Sequence, residues 1–155
     1  DARGFAHLLK RFFIVGGLAA KYRNLEIAEF GDSEELRNEL IELIVAGKKT
    51  ATCGSLSIYE EEGEPLPKVG EQFIVPDWSG KPRCIIETTS VDVKRFDEVD
   101  EGFARAEGEG DLSFEFWRDA HIDFFTRNGG YSPDMKLVCE RFTLVEAFEH
   151  ETTKE

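Results

Sequence analysis

Lys49, Thr50, Thr52 and Ser55 bring one amine and three hydroxyls into the short run from Val45 to Ser55. Such a set suits the cleavage of an amide. A hydroxyl attacks the carbonyl, a base takes its proton, and an acid protonates the departing amine. The lysine can be that base only when neutral, with a pKa roughly 3 below its usual ~10.4, a bias of about 4 kcal/mol against the ammonium. Burial in an apolar pocket favours this, and a nearby carboxylate opposes it. If the carboxylate prevails, Lys49 stays charged as an anchor or oxyanion partner, and the acid moves protons through water. Thr52 is the candidate nucleophile, with Lys48, Thr50 and Ser55 as candidate substrate contacts. Lys48 also has the ordinary reading of a cation at a helix end.

These side chains need elements to hold them. Leu36, Leu40, Leu43 and Ile44 recur at helical spacing, Asp32 followed by Glu35 resembles a capping box, and Gly47 falls where a helix commonly stops. A helix over 33–46 therefore delivers the chain to Lys49. A strand follows, with alternation continuing from Ser55 to Tyr59, and Glu60 to Gly70 reads as an acidic loop. Geometry imposes a condition here. Lys49 and Thr52 are three apart, so a regular strand points them to opposite sides, and a shared site requires irregular backbone just after Gly47.

Glu71 to Trp78 and Arg83 to Phe96 read as two strands about a turn at Ser79-Gly80, which is an antiparallel hairpin. Asp111 or Ser113 caps a second helix running to Arg127, with Phe116, Ala120 and Phe124 at helical spacing. Gly129, Gly130 and Pro133 end it, and Lys136 to Phe148 is a final strand. Antiparallel strands with helices between them make an α+β domain, with a small closed or nearly closed β-barrel. Residues 1–30 read as a helical lead-in packed on the domain, 31–148 as the domain and 149–155 as a tail. The apolar stretch from Phe5 to Ala20 is too short and too glycine-broken for a membrane span.

The loop Ala106-Glu107-Gly108-Glu109-Gly110-Asp111 adds three carboxylates. Asp111 serves as a cap and Glu107 reads as exposed, which leaves Glu109 for chemistry; the spacing does not match a calcium-binding loop. Cys53, Cys84 and Cys139 form no Cys-x-x-Cys pair. They read as buried thiols of a cytoplasmic protein, without disulfide or zinc. Trp78, Trp117, Tyr59 and Tyr131 are the candidate stacking surfaces for a base, with Trp117 ahead of the others and His121 one turn beyond it.

Nineteen basic residues against 32 acidic ones give a net charge of −13. Such a surface repels polyanions, so duplex DNA is excluded as a default partner and a small ligand is favoured. A short single strand of RNA could still occupy a local basic cleft.

The run Ala46-Gly47-Lys48-Lys49-Thr50-Ala51-Thr52, with Ala106-Glu107-Gly108-Glu109 ahead of a helix, resembles the ASCH (activating signal cointegrator homology) family from about Asp32 to Leu144. Trp117 and His121 resemble its longer bacterial branch. The resemblance implies a PUA-like β-barrel. It also implies an amidohydrolase that removes acetyl from the exocyclic amine of acetylcytidine, with Lys49, Thr52 and Glu109 as catalytic residues, no cofactor and a modified pyrimidine nucleoside as partner. RNA binding is the alternative, or single-strand ribonuclease activity with magnesium on Glu109 and Asp111. One departure is plain: where the family motif continues with an arginine after Thr-x, this chain has Gly54.

Overall fold

The computed structural model describes residues 18–149. The helix expected before Lys49 is α1, Glu34–Val45. Its cap is Ser33, whose hydroxyl accepts from the Leu36 N–H at 3.1 Å. The Asp32 carboxylate is drawn away from capping and instead accepts from Arg127 and Asn128. Gly47, with φ of 76°, ends the helix, and the Leu43 carbonyl accepts from the backbone N–H groups of both Lys48 and Lys49. This is the irregular passage that the Lys49 site requires.

Strand β2, Ala51–Ser55, gives way at once to helix α2, Leu56–Glu62. The expected strand through Tyr59 is therefore wrong. Strand β2 pairs with β5, Lys136–Ala147, and Ser55 lies opposite Leu137, one residue from the start of that partner. With only Lys136 of β5 left to pair with, the backbone satisfies itself as a helix that buries Tyr59 and stops at left-handed Gly63.

The expected hairpin forms from β3, Gln72–Pro76, and β4, Pro82–Arg95, with Phe73 opposite Ile86 and Ile74 opposite Ile85. Asp77 ties its turn by accepting from the N–H groups of Ser79 and Lys81. A short β1, Glu26–Ile27, runs parallel to β3. The sheet order is β1-β3-β4-β5-β2. The α+β class stands, but β1 and β2 are edges that do not pair with each other, so the sheet is open rather than a closed barrel.

Two helices complete the layers on the other face. Helix α3, Glu101–Glu107, lies where sequence alone left a loop; the Asp100 carboxylate caps it by accepting from the Phe103 N–H. Helix α4, Phe114–Arg127, is capped by Ser113, while Asp111 accepts from the Ser113 N–H one step earlier. On one side of the sheet Leu40, Ile41 and Ile44 of α1 pack on Phe73, Val75, Ile86 and Phe142. On the other, Phe103, Trp117, Phe124 and Phe125 of α3 and α4 pack on Ala51, Cys53, Leu137 and Cys139. Burying each such large apolar side chain contributes about 1.5–3 kcal/mol.

Of the expected lead-in, residues 1–17 lie outside the described residues. Leu18 and Tyr22, the latter on a short 3-10 turn, are buried against Ile27, Ile74 and Ile85. Of the expected tail only Glu149 is described. Among the described residues no helix is long and apolar enough to cross a membrane.

Candidate functional site

The start of β2 is stitched to the end of α3. The Thr50 N–H donates to the Ala106 carbonyl at 2.7 Å, and the Thr50 hydroxyl donates to the same oxygen at 3.3 Å. Gly108, at φ of 72°, makes the close approach possible. A Cβ there would stand 2.2 Å from the Lys48 carbonyl oxygen and 3.0 Å from the Lys49 Cα. Gly108→Ala is expected to cost about 1–3 kcal/mol from the left-handed backbone alone, with the clash added, read as a lower urea midpoint.

This junction encloses Lys49. Its ammonium donates to Glu107 Oε1 at 2.9 Å, to Glu109 Oε2 at 3.2 Å and to the Glu107 carbonyl at 3.4 Å, so all three N–H bonds are used. The Lys49 and Glu107 side chains are wholly buried and that of Glu109 is 18 % exposed. Burial disfavours the ammonium, but the two carboxylates outweigh it and raise the Lys49 pKa above its ordinary 10.5. The competition posed by the sequence therefore goes to the carboxylates. This arrangement holds Lys49 as the ammonium, anchored between two carboxylates.

Glu107, expected at the surface, is the centre of the cluster. Its Oε2 accepts from Trp117 Nε1 at 2.6 Å and from Cys53 Sγ at 3.5 Å, and lies 2.9 Å from His121 Nε2. Burial pushes this carboxyl up, yet Lys49 and His121 prevail and hold it well below the usual carboxylate range. Acidic spacing suggested a solvated loop; the Phe103-Ala104 apolar pair, which turns the preceding segment inward as a helix, was the signal that could have found Glu107. Burial, and then the same carboxylate, push the Cys53 thiol well up, so it is not an activated nucleophile.

Thr52 is separated from this group. Cys53 lies in the core beside Glu107, and residues alternate along a strand, so Thr52 faces the α1 side of the sheet. It stands opposite Glu140, whose carboxylate accepts from the Thr88 hydroxyl. Among the described residues the buried Thr52 hydroxyl has no hydrogen-bond partner. A Thr52 nucleophile activated by Lys49 does not fit this geometry. Ser55 is at the far end of β2, bonded to Ser57 at 2.9 Å beside a different cavity, while Lys48 and Thr50 are exposed.

The aromatic platforms also fall elsewhere. Trp117 is 2 % exposed and stacks on His121 with ring centroids 4.5 Å apart, so it supports the charged cluster rather than a ligand. Tyr59 is buried, Tyr131 packs edge-on against Phe96, and Trp78 sits over the Arg37 guanidinium. Asp111 accepts from the Ser113 N–H while Glu109 accepts from Lys49. Among the described residues the metal-type donors that do converge are Cys53, Glu107 and His121, with ligand atoms within 4.8 Å of one another.

Glu109 is where the cluster meets open space. It lines a cavity of about 200 Å³ between α1 and α4, together with His121, Leu36, Leu40, Phe124 and Arg127. Leu36 and Arg127 also line an adjoining outer cavity of about 520 Å³, with Asp32, Ser33, Glu35 and Glu39. Arg127 is engaged by Asp32 and Asp123. The cleft thus has apolar walls, an anchored carboxylate at its base and an acidic rim.

An open mixed sheet with helices on both faces, and a glycine-hinged junction burying a lysine between two glutamates, define a PUA-like α+β domain. The ASCH domain family matches residues 26–146, and the chain belongs to it. An Enterococcus faecalis crystal structure is 43% identical, over 76% of this chain and 74% of that one, with a TM-score of 0.69. The crystal structure of an ASCH domain from Lactobacillus crispatus is 33% identical, over 94% of this chain and 97% of that one, with a TM-score of 0.72. A comparison with the curated proteins finds no match. The resemblance carried by Gly47 to Thr52 and by Glu107 to Glu109 holds at the level of the family.

Proposed function

We propose that this ASCH domain removes an acyl group from the exocyclic amine of a free cytidine-type nucleoside bound in the cleft between α1 and α4. The observation that carries this reading is the position of Glu109, fastened to the Lys49 ammonium at 3.2 Å on one side and lining the cleft on the other. A carboxylate so held can accept a proton from a water molecule as the water oxygen bonds to the acyl carbon. It then returns that proton to the nitrogen as the carbon–nitrogen bond breaks, leaving a carboxylic acid and the free amine. Lys49 orients Glu109, and Leu36, Leu40 and Phe124 offer apolar surface to the base.

The charge of the cleft argues for the nucleoside over RNA. Among the described residues that line it, Asp32, Glu35, Glu39, Glu109 and Asp123 surround Arg127, itself paired with two of them. A phosphodiester backbone would meet repulsion here, in a chain of net charge −13.

The test is to incubate the protein with acetylcytidine without added metal and to follow cytidine by chromatography. Release of cytidine is expected, and Thr52→Val is expected to keep the rate within about twofold, since it removes a hydroxyl remote from the reacting atoms. Absence of release, with salt-sensitive binding of single-stranded RNA, would overturn the proposal. A dead Thr52→Val that remains folded would restore the hydroxyl as nucleophile.

A further inference from the structure

The His121 ring poses a problem of hydrogen-bond accounting. Its Nδ1 lies 2.8 Å from the Trp117 carbonyl oxygen, which can only accept, so Nδ1 carries the hydrogen. Its Nε2 then faces Glu107 Oε2 at 2.9 Å, and a carboxylate oxygen is also an acceptor. In a neutral imidazole two lone pairs would confront each other inside the protein. Something positive must lie between them, either a proton or a cation.

The third neighbour distinguishes the two. Cys53 Sγ approaches the same oxygen at 3.5 Å, and sulfur, oxygen and nitrogen all fall within 4.8 Å of one another. A thiol adds little to an imidazolium–carboxylate pair. For a borderline-soft divalent ion, thiolate, imidazole and carboxylate are the preferred donors. The three come from different elements, β2, α3 and α4, so a shared ion would pin both helices to the sheet.

We infer that Cys53, Glu107 and His121 form a binding site for a zinc-type divalent cation, set behind the Glu109 cleft. The surrounding contacts are those that orient metal ligands: the Nδ1 hydrogen on the Trp117 carbonyl, and Lys49 and the Trp117 indole on Glu107. Binding displaces the thiol proton to solvent. The 2+ ion with the Cys53 thiolate, the Glu107 and Glu109 carboxylates and the Lys49 ammonium leaves the cluster without net charge, as does the proton with a neutral thiol. Burial permits either, and the choice rests on the donor set. Three protein donors leave a fourth position for water, and His121 borders the cleft from which one would come.

The test uses the whole chain and cobalt(II) as probe. One equivalent of cobalt is expected to give a near-ultraviolet thiolate-to-cobalt band, displaced by zinc. Cys53→Ser should abolish the band, and His121→Gln should weaken cobalt binding by about tenfold or more. Zinc should also raise the melting temperature of the parent, a readout independent of whether the variants fold. A folded parent with no cobalt band and no zinc-dependent rise, and with both His121 ring nitrogens protonated by nuclear magnetic resonance, would overturn the inference in favour of the proton. None of these readouts depends on acetylcytidine turnover.

Discussion

Lys49→Met will destabilise the domain by about 3–5 kcal/mol, the usual consequence of removing one partner from a buried ionic cluster. Methionine fills similar volume, so the loss comes from the carboxylates, of which Glu107 is wholly buried. Urea unfolding of parent and variant at neutral pH measures it, and a difference below about 1 kcal/mol would make the pair equivalent to a surface salt bridge.

The pH dependence carries a second signature of the same change. The folded pKa of Glu107 is depressed, so its contribution is present above the unfolded value of 4.5 and is lost as pH falls below it. The folded pKa of Lys49 is raised, so its contribution is complete below 10.5 and is lost as pH rises beyond that. The parent should therefore weaken at both extremes. In Lys49→Met the alkaline loss from this lysine disappears. Below 4.5 the gap between the two proteins should narrow, because protonating a carboxyl relieves the charge that methionine left unpaired.

Glu109→Gln is expected to lower the turnover of acetylcytidine by a hundredfold to ten-thousandfold, the range for losing a positioned proton-transfer group. The amide oxygen can still accept from Lys49, and Glu107 remains as the charged partner, so the fold should hold to within about 1 kcal/mol. A fall in kcat with little change in KM would assign Glu109 to the transition state. A rise in KM alone would make it a recognition group. Measured together, Lys49→Met and Glu109→Gln separate the anchor from the working carboxylate: the first moves stability and rate, the second the rate.

Much of the scaffold was legible in order along the chain. The periodic leucines before Gly47, the hairpin about Ser79-Gly80, the Ser113-capped helix and the final strand all express local rules of spacing, capping and turn chemistry, and each appears within a few residues of its expected place. Residue types also sufficed to bring Lys49 and Glu109 under suspicion and to identify the family. The failures share a cause. Helix α2 replaced a strand because β5 extends only one residue, Lys136, beyond the Leu137 partner of Ser55, a fact about a segment some eighty residues away. The open sheet likewise depends on which edges pair.

The site divides in the same way. Sequence by itself determined that an amine, hydroxyls and carboxylates stand near a glycine-ended helix, and that the chain carries a net charge of −13. Only the tertiary structure decided which carboxylate is buried, that the lysine lies between two of them, and that Thr52 turns away from it. Protonation and facing depend on burial, strand alternation and neighbours distant in sequence, and Gly108 lets Glu107 and Glu109 close on Lys49 across about sixty residues.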